Sequence, residues 1–143
     1  MSARDFAPPD AELRDLFAKT RRIAVVGFSD DPRRPASWIA RYLADAGYEV
    51  VGVNPTLGVP SVGEVPVVAS LRDVPTPIDL VDVFRRPDQV MPIVEDAIAS
   101  GARAIWFQDG VVNVAAAERA RDAGLFVVMN DCTYRQHRRL VGH

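Results

Sequence analysis

Ile23-Ala24-Val25-Val26-Gly27-Phe28-Ser29-Asp30-Asp31-Pro32-Arg33-Arg34-Pro35-Ala36-Ser37 decides the fold. A short apolar run with strand character ends on a glycine and passes through a polar turn. It then enters the stripe Ile39, Ala40, Leu43 and Ala46 at helical spacing. Ser37 reads as the N-cap of that helix and Gly47 as its C′ stop. A strand that is apolar at consecutive positions is buried on both faces, which is the mark of a parallel sheet covered by helices.

Four further runs repeat the pattern: Val50–Val53, Leu80–Phe84, Ala104–Phe107 and Leu125–Met129. Val90, Ile93, Val94, Ala97 and Ile98 form a helical stripe closed by Gly101, with Pro87 suited to its first turn and Pro92 expected to kink it. Val114, Ala117 and Ala120 form another, capped by Asn113 and closed by Gly124, and a leading helix begins near Asp10 with Leu13, Leu16 and Phe17. The alternation predicts a three-layer, doubly wound α/β protein with a Rossmann-like parallel sheet in the main strand order 2-1-3-4-5. Asn54–Asp79 carries too many prolines for one long helix; Glu64–Val68 reads as a short extra edge strand and Val68–Val74 as a helical turn. No repeat or linker interrupts the chain, so residues 1–143 read as a single domain.

Composition narrows the function classes. With 48% hydrophobic and 25% charged residues the chain is ordinary globular material, and a net charge of −2 gives no electrostatic footprint for nucleic acid or an anionic membrane. No apolar stretch approaches bilayer length, and the first ten residues lack the apolar segment of a secretory signal. The one cysteine, Cys132, permits no internal disulfide, which suits a cytoplasmic location.

In the predicted sheet the ligand crevice lies at the carboxyl ends of the first and third strands, where the winding reverses. Gly27 lets backbone come close to a ligand there, Ser29 and Ser37 add hydroxyls, and Arg33 or Arg34 could hold a phosphate bidentately; the plainer alternative is a solvated turn. The loop is not G-x-G-x-x-G, no acidic residue follows the second strand at Val53-Asn54-Pro55, and no G-K-[ST] occurs, so conventional NAD and ATP readings lose ground. The third strand ends Val83-Phe84-Arg85-Arg86-Pro87, where Phe84 either packs in the core or brackets an adenine and the arginines either meet phosphate or are solvated. After the fourth strand Trp106 reads as core, while Gln108 and Gly110 read as crevice residues. A catalytic thiol needs a base and oxyanion donors. His137 sits five residues beyond Cys132, an awkward spacing on a helix, and His143 is terminal, so a buried structural cysteine is the favoured reading. One cysteine and two scattered histidines give no metal-ligand spacing. No catalytic and no metal residue is assigned.

These segments together resemble the small stand-alone CoA-binding proteins, which share the Rossmann-like CoA-binding domain of the succinyl-CoA synthetase alpha subunit. The resemblance rests on Ile23–Ser29 with Arg34–Ser37, on Gly52-Val53-Asn54-Pro55, on Val83–Pro87, on Ala104–Gly110 and on Val127–Cys132, in that order over about Thr20 to Leu140. It implies coenzyme A bound across the switch point. Gly27, Phe28 and Ser29 would face the phosphates, Asn54, Pro55 and Val83 to Arg85 the nucleotide, and Gln108 to Gly110 the pantetheine arm. CoA carries a 3′-phosphate and a pyrophosphate, which suits an arginine-edged crevice without a ribose-binding acid. The synthetase's second domain, with its phosphorylated histidine, has no counterpart here, so the resemblance implies a CoA or acyl-CoA binder without catalytic machinery. A homo-oligomer or an acyl-CoA enzyme as partner stays open. Two other classes compete: an NADP-binding oxidoreductase in which Arg33 or Arg34 meets the 2′-phosphate, and a small enzyme using Cys132 for thioester or thiol exchange.

Overall fold

The computed structural model describes residues 2–142, so the terminal His143 weighed above as a base lies outside the described residues. Strands β1 (Arg22–Val26), β2 (Glu49–Val53), β3 (Ser61–Val62), β4 (Val65–Val68), β5 (Leu80–Val83), β6 (Ala104–Phe107) and β7 (Phe126–Met129) form one sheet. Its order is β3-β4-β2-β1-β5-β6-β7, so the five principal strands stand in the predicted order and run parallel. The predicted extra strand is β4, parallel to β2. It is not the edge, because β3 pairs antiparallel with it outside. A strand of two residues has no periodicity to read, which is why β3 escapes a sequence reading.

Helices α1 (Asp10–Lys19), α2 (Pro35–Asp45), α3 (Val90–Ala99), α4 (Val114–Asp122) and α5 (Thr133–Leu140) cover the sheet. Side chains alternate across each strand, so one apolar run fills two cores. Ile23 and Val25 pack with Leu13, Phe17, Ile39 and Leu43 beneath α1, α2 and α5, whereas Ala24 and Val26 join Val90, Val94, Ala116 and Ala120 beneath α3 and α4. At the amino ends of the strands the buried Asp79 carboxylate accepts the Arg21 and Arg22 N–H groups at 3.0 and 2.9 Å, which ties β5 to β1.

Two helix expectations need correction. The N-cap of α2 is Arg34, and Pro35 opens the helix, so Ser37 is its third residue instead of its cap. Proline is favoured at that first position because its missing N–H would have had no helical partner. For the same reason Pro92, third in α3, costs no helical hydrogen bond, and the helix runs on to Ala99. Asn113 caps α4 as predicted, accepting the Ala116 N–H at 3.0 Å.

Candidate functional site

The winding reverses between β1 and β5, and two cavities open there at the carboxyl ends of the strands. One, of about 530 Å³, lies on the α2 and α5 side and is lined by Arg34, Trp38, Phe84, Gln108 and Cys132 among others. The second, of about 590 Å³, lies on the α3 side and includes Val53, Pro55, Leu71 and Ile93. Gly27 and Arg85 line both, so they stand where the two lobes meet.

The turn after β1 is built from its own hydrogen bonds. Gly27 and Phe28 both donate their N–H groups to the Val53 carbonyl, at 3.0 and 3.3 Å. The Phe28 ring is fully buried and lies against Gly52, where a Cβ would come within 2.5 Å of it. Phe28 lines neither cavity. Ser29 Oγ accepts the Asp31 N–H at 3.0 Å, and Asn54 donates to the Phe28 carbonyl at 2.8 Å, tying the β2 loop to the β1 loop. Ser37 is buried, lines neither cavity, and among the described residues its hydroxyl is the one buried side-chain polar atom without a partner. Val83 is buried in its strand.

The arginines divide by their partners. Arg33 makes a fork to Asp31, with two contacts at 3.0 Å, which holds the Asp31 carboxyl below its ordinary range, and the arginine lines neither cavity. Arg86 lies 3.6 Å from Asp88. Arg34 and Arg85 line the crevice, and neither forms an ion pair with a described carboxylate.

The far wall is stitched across β6 and β7. The Gly110 N–H is taken by Asn130 Oδ1 at 2.8 Å, with Asn130 in a left-handed conformation at φ 60°. Arg135 grips Asp109 with two bonds of 2.9 Å and also reaches Asp131 at 2.8 Å, which depresses the Asp109 pKa. The turn carrying Gln108 is thereby fixed. Gln108 Nε2 donates to Asp82 Oδ1 at 2.5 Å and to Thr133 Oγ1 at 2.8 Å, while Thr133 Oγ1 donates to Asp82 Oδ2 at 2.9 Å. Asp82 is fully buried in the middle of β5, and burial pushes its pKa up to about 7 against the lowering effect of the two hydrogen bonds. The residue lies inside an apolar run that reads as strand; the carboxylate in it was the available signal, since an aspartate is almost never fully buried without a reason.

Trp106 is core, with its indole N–H donating to the Asp131 carbonyl at 3.0 Å. Cys132 is buried at the start of α5, and burial raises its pKa, which disfavours the thiolate. His137 points into an aromatic nest, with Nδ1 at 2.8 Å from the Tyr42 hydroxyl and edge-on contacts to Phe17 and Tyr48.

Residues 21–138 match the model of the CoA binding domain family. The chain is 38% identical over 125 residues to YneT, an uncharacterized protein of Bacillus subtilis (strain 168), with 87% of this chain and 91% of that one aligned. A hypothetical protein from Pyrococcus horikoshii OT3 superposes with a TM-score of 0.89 at 38% identity, covering 94% of each chain. The dinucleotide forming acetyl-coenzyme A synthetase 1 of Ca. Korarchaeum cryptofilum shares the fold, with a TM-score of 0.66 at 24% identity over 80% of this chain and 27% of that one.

Proposed function

The chain belongs to the CoA binding domain family, and from that premise we propose that it binds coenzyme A or an acyl-CoA across the β1/β5 switch point, as a binding module without chemistry of its own. One observation carries the reading: two cavities meet at Gly27 and Arg85, with Arg34 on the wall, and neither arginine forms an ion pair with a described carboxylate. A ligand with a bulky nucleotide end, a strongly anionic middle and a long thin arm fits that shape. The nucleotide takes the α3-side lobe beside Val53 and Pro55, the phosphates take Arg85 and Arg34, and the arm runs towards Gln108 and Gly110. The raised pKa of the buried Cys132 thiol disfavours its thiolate, which supports a binding role. Among the described residues no helix is long and apolar enough to cross a membrane.

Thermal unfolding of ligand-stripped protein against CoA, dephospho-CoA, NAD, NADP and ATP tests the reading. A ligand at a hundredfold its Kd adds about 2.7 kcal/mol, or about 9 °C in Tm for a chain of this size. The expected result is a shift with CoA that shrinks with dephospho-CoA. A shift with NADP and none with CoA overturns the proposal. Arg85→Ala and Arg34→Ala are each expected to weaken CoA by roughly tenfold to a hundredfold by isothermal titration, since a charge-assisted bond is worth roughly 1.5–3 kcal/mol. Arg33→Ala, whose charge is already held by Asp31, is expected to leave affinity within about twofold of wild type.

A further inference from the structure

We propose that Asp82 is a positioning residue that locks the Gln108 amide with its carbonyl towards the crevice, so that Gln108 accepts an N–H of a secondary amide in the ligand's arm. The inference rests on the CoA reading above and goes beyond it by assigning what recognises the arm.

The argument is an accounting of hydrogens. A glutamine amide has two donor hydrogens on Nε2 and one acceptor oxygen, and either end can face a ligand unless something fixes the flip. Here Nε2 is committed twice on the inner side, to Asp82 Oδ1 and Thr133 Oγ1. Among the described residues none donates to Oε1, and Oε1 is not a buried unpartnered atom, while Gln108 lines the α2-side cavity. The oxygen is therefore the end of the amide that the cavity meets. Asp82 enforces that choice in its ionised form, above the pKa of about 7, because a carboxylate accepts only, and a flipped amide would set oxygen against oxygen. Thr133 closes the triangle by giving its own hydrogen to Asp82 Oδ2, which leaves its lone pairs for Gln108. No ligand donor other than an N–H or O–H can use Oε1, and the secondary amides of a pantetheine arm supply N–H groups. The neighbouring amide at Gly110 is already spent on Asn130, so Gln108 is the polar side chain of this turn left to read the arm.

Isothermal titration with two probes separates positioning from mere structure: CoA, and adenosine 3′,5′-bisphosphate, which keeps the nucleotide end and lacks the arm. Gln108→Leu and Asp82→Leu are each expected to weaken CoA about fivefold to tenfold, the worth of one hydrogen bond, and to leave the bisphosphate unchanged. The double variant is expected to lose no more than either single, since both remove the same contact. Asp82→Asn keeps an acceptor for Nε2 and is expected to restore CoA affinity to within about twofold of wild type. Should Asp82→Leu not fold, Thr133→Val gives the same test, with an expected loss of about threefold confined to CoA. Equal losses for both probes, additive losses in the double variant, or a Gln108→Leu variant with undiminished CoA affinity each overturn the assignment. Wild-type protein that binds neither probe overturns the CoA reading itself, and the arm contact with it.

Discussion

Gly27→Ala is expected to lower stability by about 3 kcal/mol or more, far more than the same change at Gly110. Both glycines sit at positive φ, 88° and 81°, so both substitutions carry the strain of a left-handed L-residue, about 1–2 kcal/mol. They differ in what the new methyl would meet. At Gly110 it would meet nothing within 4 Å, whereas at Gly27 it would lie 2.5 Å from the Phe84 carbonyl oxygen. That oxygen belongs to backbone at the end of β5, anchored by the Phe84 N–H to the Val26 carbonyl at 2.9 Å. Relief requires β1 and β5 to part at the switch point. Denaturant melts of the two variants beside wild type test this: a Gly27→Ala midpoint no lower than that of Gly110→Ala would refute it. The glycine, which the sequence offers as a point of close backbone approach to a ligand, is thus required by the chain's own packing.

The contrast shows which parts of the molecule are written locally. Strands such as Ala104–Phe107 and Val50–Val53 are legible because burial on both faces demands apolar residues at every position, and the helices between them because one face must be apolar. Strand order then follows from crossover handedness and places the crevice without further information. Individual roles in the crevice depend on which neighbour reaches a side chain first, and that is set by residues distant in sequence. Arg33 and Arg34 are indistinguishable as letters, yet a fork to Asp31 removes one from the crevice and leaves the other on its wall. Phe28 reads as a turn residue beside the phosphates, but the gap at Gly52 on the neighbouring strand draws its ring into the core. The Asp82–Gln108–Thr133 triangle joins residues up to 51 positions apart, and only the buried charge within an apolar run hinted at it.

That triangle makes stability depend on pH in an unusual direction, and the effect is large. Burial raises the Asp82 pKa from 3.8 to about 7. Between those values the folded state holds a proton that the unfolded state has released, so stability falls as pH rises through the window and levels off above about 7. The linkage integral gives a loss of roughly 2–3 kcal/mol between pH 5 and pH 8 from this one group. Asp10, Asp31, Glu95 and Asp109 have lowered pKa values, so their contributions are lost only as pH falls below the ordinary carboxylate range, outside this window. Asp82→Asn cannot titrate, and subtracting its stability from that of wild type cancels every other group. The difference is expected to move by roughly 2–3 kcal/mol in favour of the variant from pH 5 to pH 8, several degrees in Tm. Parallel melting curves across that range would show that Asp82 does not carry the raised pKa. A buried carboxylate whose ionisation costs stability at neutral pH sits where it holds the Gln108 amide at the wall of the α2-side cavity.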